Sequence, residues 1–540
     1  MAPLALLVLG LQLLTASGLP APNCPTVTAD SGVLVGTATS LPCASTAVNR
    51  FLGIPFAEPP IRFDPPQPAP NWAGVYDATQ YKPACIQKFD GPEGDRERIK
   101  DWFATPPQPN GESEDCLYLN VYAPAGAAQG SKAVMFWLFG GSFAFGSGSL
   151  PLYDGSSFAA NHDVVIVISN YRTNVFGFPG SPEKPQSEQN LGLLDQRLAL
   201  DWVQRNIAAF GGDPSRVTLF GESAGAGSVD LLVSNPPEPV PFIGAIMQSG
   251  QSGLSLPNND SARSWQKLIK AADCDPEDAL ECIRALPAEK IRDIIEREKL
   301  AFVPIYDDGE TYASTGRLDR RDSTPKESRI ARVPILIGSN ADEGTILTYG
   351  MANGVTDQLL KQVPGSSLDN VNKLLGAYGQ SERPGLGFVN RQLASVIGDF
   401  AFTCPAKVIG EESAAAHIPS WRYMFDAAFP NHEAFPGSGA WHSSEIGLIF
   451  GTYNRTGRTP YQEKLSIAMQ RAWADFAKDP SGGPGWDSLP NKIAVFGAGV
   501  RPDAQGSAST PAFEVNDGAK YDGKCWLFKP IYDTFTLNRG

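Results

Sequence analysis

The most informative stretch of the sequence is Arg216-Val217-Thr218-Leu219-Phe220-Gly221-Glu222-Ser223-Ala224-Gly225. Its apolar run predicts a β-strand, and a helix is expected to begin near Ala224. A serine on such a sharp turn has a strained backbone, and Gly221 and Gly225 remove the side chains that would crowd it. The free N–H groups and the positive dipole end of the helix then face Ser223. The pattern therefore predicts Ser223 as a nucleophile at one edge of a sheet.

Apolar runs on both sides of this stretch predict further buried strands, because a strand covered on both faces reads as a continuous apolar segment. These runs lie at residues 133–139, 163–169, 243–247, 333–337 and 421–425. Helical spacing of apolar residues is found between them, at residues 191–210, 261–272, 277–286, 287–298 and 461–478. The alternation predicts one large, mostly parallel α/β sheet flanked by helices, and not separate domains.

The first part of the chain has a different character. Residues 24–60 show short alternating runs that predict β hairpins at the edge of the fold, and residues 59–70 form a proline-rich connection without regular structure. Between Cys85 and Cys116 lies a polar loop, in which charged residues outnumber the apolar ones. This loop is expected to be either a lid over a site or a solvated surface segment.

Composition and charge narrow the possible functions. The 540 residues are 42% apolar and 19% charged, as in an ordinary globular protein, and the formal net charge is −14. Such a surface repels phosphate backbones and anionic membranes, so neither nucleic acid nor stable membrane insertion is expected. No segment after the N-terminus reads as long and apolar enough to cross a bilayer.

The N-terminus predicts secretion. Residues 1–18 are apolar and end in Ala16-Ser17-Gly18, which is typical of a signal peptide with its cleavage site. Residues 19–540 are then expected to form a single domain. Eight cysteines follow the cleavage point, which fits an oxidising compartment. In a secreted protein, the sequons at Asn259 and Asn454 become candidate glycosylation sites.

A nucleophilic serine needs a base beside it, and the chain has only four histidines. His162 and His417 precede predicted strands, so they are expected at the edge of the sheet opposite Ser223. His432 and His442 follow the last predicted strand, on the side where open α/β sheets place their sites. The small-residue loop around His442 favours this histidine, with His432 as the alternative.

The acid and the oxyanion donors are expected at the same edge. Asp342 and Glu343 both follow the predicted strand 333–337, and their order in the chain leaves open which of them orients the base. The developing negative charge of an ester's tetrahedral oxygen requires fixed N–H donors. Gly140-Gly141-Ser142 can turn such donors toward Ser223, and the N–H of Ala224 adds another.

Several motifs together resemble the type-B carboxylesterase/lipase family, which includes the cholinesterases and fungal lipases similar to those of Candida. The resemblance covers about residues 51–528 and is highly specific. It is carried by Glu114-Asp115-Cys116-Leu117-Tyr118-Leu119-Asn120-Val121, Asn170-Tyr171-Arg172, Asn190-Leu191-Gly192-Leu193-Leu194-Asp195-Gln196, Phe210-Gly211-Gly212-Asp213-Pro214, Gly221-Glu222-Ser223-Ala224-Gly225 and Gln248-Ser249-Gly250.

The resemblance implies an α/β-hydrolase fold and a role for each candidate. Ser223 would be the nucleophile, Glu343 the acid and His442 the general base. The remaining assignments are oxyanion donors at Gly141, Ser142 and Ala224, and supporting carboxylates at Glu222 and Glu445. The resemblance also implies disulfides, which leave Cys24 to pair with Cys43; the implied pairs are Cys85–Cys116, Cys274–Cys282 and Cys404–Cys525.

Ser142 departs from the glycine triplet that the family usually has at this position. Its side chain is expected to intrude on the acyl or alcohol space beside Ser223. Esters of bulky tertiary alcohols are therefore expected to react more slowly than esters of primary alcohols.

The leading hypothesis is a secreted serine carboxylic-ester hydrolase that works through an acyl-enzyme and needs no cofactor or metal. Medium or bulky esters, including lipid-like or aromatic acyl esters, are the expected substrates. A true triacylglycerol lipase or sterol esterase with an interfacial lid is the alternative, which the charged residues of the 85–116 loop disfavour. A cholinesterase is not expected, because Trp102 lies several residues from the position that choline recognition would require. A non-catalytic binding protein of the same fold is disfavoured because the whole set of candidate catalytic residues is present.

Overall fold

The computed structural model describes residues 24–42, 44–89, 93–254, 260–307, 309–351, 373–374, 376–379, 389–490 and 492–537. Its strands are β1 Thr26–Ala29, β2 Gly32–Val35, β3 Thr37–Thr39, β4 Val48–Pro55, β5 Val75–Asp77, β6 Tyr118–Pro124, β7 Lys132–Leu138, β8 Val165–Ser169, β9 Gly212–Glu222, β10 Gly244–Gln248, β11 Ile335–Asn340, β12 Ser420–Ala427, β13 Ile493–Val500 and β14 Phe513–Asn516.

The helices lie mainly between these strands. They are α1 Glu93–Phe103, α2 Ser156–His162, α3 Asn174–Gly177, α4 Leu191–Asn206, α5 Ala224–Ser234, α6 Asp260–Ala271, α7 Ala279–Arg284, α8 Ala288–Arg297, α9 Gly316–Asp322, α10 Gly344–Leu347, α11 Arg391–Gly398, α12 Cys404–Ala415, α13 Ile446–Phe450, α14 Pro460–Lys478, α15 Ala519–Asp522 and α16 Lys529–Thr536.

An eleven-stranded sheet dominates the described residues, in the order β14-β13-β12-β11-β10-β9-β7-β8-β6-β4-β3. The seven strands from β13 to β8 run parallel, and antiparallel strands extend the sheet at both ends. A small sheet of β1, β2 and β5 lies apart from it. The α/β-hydrolase architecture, with a mostly parallel sheet flanked by helices, is therefore confirmed.

The continuous apolar runs gave correct predictions for the centre of this sheet. Strands β7 to β12 all fall on the predicted runs or on the Arg216–Glu222 part of the opening stretch, with ends that move by a few residues. Their side chains are almost entirely buried, because helices cover both faces of the sheet. The predicted helices are also present, although the long one at 191–210 ends as α4 at Asn206 and continues as a 3₁₀ turn to Phe210.

Several elements were not predicted, and three of them matter for the sheet and the site. Strand β6 is buried, but its first residues belong to the motif Glu114–Val121, which was read only as a mark of the family resemblance. Strand β13 contains Gly497 and Gly499, whose φ angles are positive, at 69° and 72°. Glycines with such angles usually mark turns, so this segment does not read as a strand. Within the 85–116 loop, residues Glu93–Phe103 form helix α1.

One helical stretch corrects the sequence analysis. Residues Arg391–Ala415 are long and apolar enough, by length and composition alone, to cross a membrane. This stretch joins α11 and α12 through a π-helical turn, Asp399–Thr403. Because 61% of its apolar window is buried inside the protein, its hydrophobicity is accounted for by packing within the fold.

Three of the implied disulfides are formed: Cys85–Cys116, Cys274–Cys282 and Cys404–Cys525. The fourth pair involves Cys43, which lies outside the described residues, as do Asn259 and the expected signal peptide at 1–18. Asn454 is exposed in the loop before α14.

The parallel arrangement brings three loops to one edge of the sheet. Ser223 follows β9, Glu343 follows β11 and His442 follows β12. Since β9, β11 and β12 all run in the same direction, their carboxyl ends lie together, where open α/β sheets carry their sites.

Candidate active site

Ser223 occupies a strained backbone position between β9 and α5. Its φ is 55° and its ψ is −122°, a combination that non-glycine residues rarely adopt. The neighbouring glycines allow the chain to turn so tightly. A Cβ on Gly225 would lie 1.9 Å from the carbonyl oxygen of Leu138, and one on Gly221 would lie 2.6 Å from the backbone of Gly225. The Gly-x-Ser-x-Gly pattern therefore has a direct steric cause.

His442 lies between the serine and an acid. Its Nε2 is 2.8 Å from Ser223 Oγ, and its Nδ1 is 2.6 Å from Glu343 Oε2. A neutral imidazole with its proton on Nδ1 can donate to Glu343 and accept from the serine hydroxyl. His442 is buried, and the ring of Phe402, on the π-helical turn, packs at 4.5 Å between centroids. The structure thus brings together the three residues that the sequence singled out.

The geometry distinguishes the two candidate acids. The other oxygen of Glu343, Oε1, accepts the backbone N–H of Asn340 at 2.7 Å, so the carboxylate is held from both sides. Asp342 instead accepts the backbone N–H of Ala440 at 3.0 Å and so supports the loop that carries His442. The two adjacent carboxylates therefore do different things.

A second buried chain of hydrogen bonds supports Glu445. Its carboxylate accepts from the side-chain amides of Asn340 at 2.7 Å and of Gln248 at 3.1 Å. Gln248 in turn accepts from the indole N–H of Trp473 at 2.8 Å. Asn340 also donates to the carbonyl oxygen of Trp441 at 2.8 Å, next to His442. These contacts connect β10, β11 and α14 to the loop of the candidate base.

Glu222, the residue before the serine, also lies close to the base. Its Oε1 is 3.3 Å from His442 Nε2 and accepts the hydroxyl of Ser443 at 2.6 Å. Glu222 is buried, and so are Glu343 and Glu445. Three carboxylates thus surround one imidazole in a region of low dielectric.

This arrangement shifts the pKa values of the site. Burial by itself lowers the pKa of His442, but Glu222, Glu343 and Glu445 outweigh it and raise the pKa to about 9. Burial raises the pKa of Glu222, against the opposing effect of the imidazolium. Burial likewise raises the pKa of Glu445, although the amide of Asn340 opposes it. The site therefore stabilises the protonated form of His442, which is the form that proton transfer from Ser223 produces.

Three backbone N–H groups are available near the serine. Gly141 and Ser142 lie in the loop after β7, with φ angles of 110° and 55°, and Ala224 is the first residue of α5. Within the described part of the chain, the N–H groups of these three residues have no intramolecular acceptor. Unpaired donors on the residue that follows the serine, and on a loop beside it, are what an oxyanion requires.

Two cavities lie next to the candidate nucleophile and base. The larger, of about 600 Å³, reaches Glu222 and Ser443 and has aromatic walls formed by Trp102, Phe103, Tyr153 and Trp441. The smaller, of about 360 Å³, reaches Ser223 itself; its lining includes Ser142, Phe143, Gln251, Val303, Ile305 and Phe402. A third cavity of about 630 Å³, lined by Lys407 and Trp526 among others, includes neither a triad residue nor a chain neighbour of one, so volume alone does not locate the site.

The other histidines lie elsewhere. His162 ends α2, and His417 lies in the turn before β12; both precede strands, as predicted. His432 is half-buried, and its Nε2 lies 2.5 Å from the carbonyl oxygen of Ser444. Burial lowers the pKa of His432. His432 therefore supports the loop of His442 and does not contact Ser223.

Sequence reasoning missed several residues of the site. Gln248 stands in a quoted motif and Asn340 beside the candidate acids, but neither position indicates which carboxylate it will contact. Trp473 reads as an ordinary apolar position of a long helix. Phe402 depends on the π-helical turn, for which the sequence gives no local signal.

Comparison with known proteins agrees with this geometry. The model of the carboxylesterase family matches residues 23–502. A cholinesterase from Mus musculus is 33% identical over 478 residues, which cover 81% of this chain and 76% of that protein. An acetylcholinesterase from Bungarus fasciatus is 33% identical over 472 residues, with the same coverage. An acetylcholinesterase from Electrophorus electricus is 32% identical over 517 residues, covering 83% of this chain and 78% of its own.

Proposed function

This chain belongs to the carboxylesterase family and is a carboxylic-ester hydrolase, and we propose that it works through Ser223, His442 and Glu343. The observation that carries the proposal is the pair of hydrogen-bond distances from Ser223 through His442 to Glu343, 2.8 and 2.6 Å. A hydroxyl becomes a nucleophile when a positioned base removes its proton, and the base needs an acid to orient it.

Acylation follows from these positions. Ser223 Oγ attacks the ester carbonyl carbon while its proton passes to His442 Nε2. The carbonyl oxygen becomes an oxyanion, which accepts hydrogen bonds from the N–H groups of Gly141, Ser142 and Ala224. The imidazolium then donates its proton to the alcohol oxygen as the carbon–oxygen bond breaks, and the acyl group remains on Ser223.

Deacylation repeats these steps with water. His442 removes a proton from a water molecule, whose oxygen attacks the acyl carbon to form a second oxyanion. The imidazolium returns a proton to Ser223 Oγ as the bond to the serine breaks. The acid product leaves, and the enzyme regains its original protonation state.

We assign the larger cavity to the alcohol and the smaller one to the acyl group. The larger cavity reaches Glu222 and Ser443, which lie beside the Nε2 that protonates the leaving alcohol. The smaller cavity reaches Ser223, to which the acyl group becomes bonded. Both volumes suit medium or bulky groups, which supports lipid-like or aromatic acyl esters as substrates.

The 85–116 loop supports an esterase over a true lipase. Its apolar residues Ile86 and Phe89 are buried, and the outer positions of α1 are charged. Glu296 of α8 fixes the loop, because its carboxylate accepts the backbone N–H of Phe89 at 3.0 Å and lies 3.5 Å from Arg96. A lid that adsorbs to oil needs a broad exposed apolar face, and the described residues of this loop present none.

The same loop disfavours a cationic alcohol such as choline, although the relatives named above are cholinesterases. Trp102 lines the larger cavity, but the guanidinium of Arg98 already lies 5.5 Å from its ring centroid and 4.6 Å from that of Tyr349. A positive charge over these aromatic faces occupies them and repels a second cation. We therefore propose that uncharged esters are preferred.

We also propose that the protein is secreted, with residues 1–18 removed and residues 19–540 folded as one domain. Three disulfides support an oxidising destination. Asn454 is exposed and therefore accessible to glycosylation.

The test of the triad is hydrolysis of p-nitrophenyl butyrate by the wild-type enzyme and by Ser223→Ala. We expect kcat to fall roughly 10⁴-fold or more, since removal of a nucleophile leaves only binding and the oxyanion donors. Ser507→Ala, an exposed serine outside the described cavities, serves as the control and should keep full activity. Equal activity of Ser223→Ala and wild type would overturn the proposed function.

A further inference from the structure

The smaller cavity contains a buried amide that has no partner. Only 7% of the surface of Gln251 is exposed, and the residue lines the cavity beside Ser223. Neither its Oε1 nor its Nε2 makes a hydrogen bond to any residue that the structure describes. The triad and the oxyanion donors do not use this side chain.

Its neighbour on the same turn is also polar and also lacks a side-chain partner. Ser249 is fully buried and lines the cavity, and its Oγ makes no hydrogen bond with the described part of the chain. Its backbone is fixed by a positive φ of 53° and by a 2.9 Å hydrogen bond from its N–H to Gly338. The turn after β10 thus holds hydrogen-bonding groups at the cavity wall.

The surrounding wall is mixed: Ser252, Tyr306 and Tyr312 line it as well as apolar residues, but no described residue pairs with the amide of Gln251 or the hydroxyl of Ser249. Val303, Ile305, Phe143 and Phe402 contribute apolar side chains to the lining. An amide that is buried without a partner is unfavourable by more than a typical hydrogen bond contributes, so such groups are rarely left unpaired. A water molecule or a substrate group that enters the cavity can supply the missing partner.

We propose that Gln251 is a specificity-determining residue that selects acyl groups bearing a hydroxyl or carbonyl oxygen. This inference rests on the proposed function, and on the assignment of the smaller cavity to the acyl group. A primary amide both donates and accepts, so it can pair with either side of a hydroxyl. A purely hydrocarbon acyl group displaces water from the cavity and leaves the amide unpaired, which weakens binding of the transition state.

The test compares substrates that differ only in this oxygen. Methyl cinnamates with a hydroxyl at ring position 3 or 4 are matched with methyl cinnamates that carry a methyl group, similar in size, at the same position. The ratio of kcat/KM for hydroxyl over methyl should exceed one in the wild-type enzyme for at least one position. In Gln251→Met, a similar volume without the amide, that ratio should fall about tenfold or more.

Two controls separate the possible results. Gln129→Met alters an exposed glutamine at the opposite edge of the sheet and should keep the wild-type ratio. A second substrate pair, 4-hydroxybenzyl and 4-methylbenzyl acetate, places the oxygen on the alcohol, and Gln251→Met should leave its ratio unchanged. A loss of selectivity on the alcohol pair would overturn the acyl assignment.

The wild-type measurement needs no variant and so does not depend on the folding of Gln251→Met. A wild-type ratio of one or less at both ring positions would overturn the inference, and so would an unchanged ratio in Gln251→Met. Hydrolysis of p-nitrophenyl butyrate that disappears in Ser223→Ala, measured in the same series, would leave the proposed function standing in either case. Loss of the inference and loss of the function are therefore distinguishable.

Discussion

Ser142 has a backbone φ of 55°, in the left-handed region that favours glycine, and its N–H is one of the three unpaired donors near Ser223. Ser142 and Ser223 both line the smaller cavity, so a side chain at position 142 would crowd the tetrahedral carbon, which carries the alcohol as well as the acyl group. We predict that the wild-type enzyme hydrolyses n-butyl acetate faster than tert-butyl acetate, and that Ser142→Gly reduces the ratio of the two rates about tenfold.

The ratio of kcat/KM values is the measurement, and the thermal stability of the variant is its control. Glycine adopts the observed φ without strain, so Ser142→Gly should fold normally. Equal rates on the two esters in the wild-type enzyme, unchanged in the variant, would contradict this prediction.

Glu222 gives a prediction about pH. The general base must be neutral, so kcat/KM rises as the pH rises through the pKa of His442 in the free enzyme. Glu222 is one of the carboxylates that raise that pKa to about 9. In Glu222→Gln this contribution is lost, the pKa falls, and the ascending limb of the profile should move about one unit toward lower pH.

The pH profile of kcat/KM for p-nitrophenyl butyrate is the measurement. The matched control is Glu433→Gln, because Glu433 is half-buried and lines the larger cavity together with Glu222. An unmoved limb in Glu222→Gln would mean that Glu222 is already protonated in this pH range and does not act on His442.

At this scale the sequence located the candidate nucleophile, base and acid, because Ser223 and Glu343 closely follow apolar strands and His442 lies in the loop region after the last predicted strand. The choice between Asp342 and Glu343 needed the resemblance, since both follow the same strand. The hydrogen bonds of Glu445 with Asn340 and Gln248 could not be predicted, because they join the residue before α13 to two strands whose alignment only the folded sheet defines.

At the scale of elements, helix α1 and its loop form one wall of the larger cavity. Trp102 packs on Tyr349 at 5.1 Å and Phe103 on Trp441 at 6.1 Å between ring centroids. The Cys85–Cys116 disulfide closes this loop of 31 residues. By loop-closure entropy, its removal should destabilise the protein by roughly 3–4 kcal/mol.

We therefore predict two effects of the double variant Cys85→Ala/Cys116→Ala. The unfolding midpoint in urea should fall, and kcat/KM should fall more for benzyl acetate than for methyl acetate, because the wall for the alcohol loosens. The control is Cys404→Ala/Cys525→Ala, whose disulfide closes a longer loop away from this cavity. It should lose stability and keep the ratio of the two esters. A ratio unchanged in both variants would refute a substrate-binding role for the loop.

The strands that are fully buried at the centre of the sheet were predicted correctly, whereas strands toward its edges were missed. The central strands from β7 to β12 read as unbroken apolar segments because helices cover both of their faces. Strand β13 includes Gly497 and Gly499, and its pairing with β12 shifts register between Phe425 and Ala427. An irregular strand of this kind has no clear periodicity in the sequence.

At the scale of the whole molecule, the last prediction concerns activity at an oil–water interface. It rests on the net charge of −14 and on the fixed 85–116 loop beside the site. An enzyme without an exposed apolar lid gains nothing from an oil surface. We predict that the rate on tributyrin rises smoothly with concentration and shows no jump where the substrate exceeds its solubility and forms an emulsion. Titration of the released acid measures this rate, and an abrupt increase at the solubility limit would favour a true lipase.

The glycines beside the nucleophile have a consequence for how this protein can change over generations. A methyl group on Gly250 would lie 2.1 Å from the carbonyl oxygen of Ser223, nearly as close as the 1.9 Å clash already described for Gly225. Both collisions are with main chain, which no rotamer can relieve, so random mutagenesis should recover almost no survivors at these codons. Val303 and Ile305 line the smaller cavity, outside the triad, and should tolerate many replacements. Evolved variants of this enzyme should therefore keep the same reaction, while their substrate specificity can change readily.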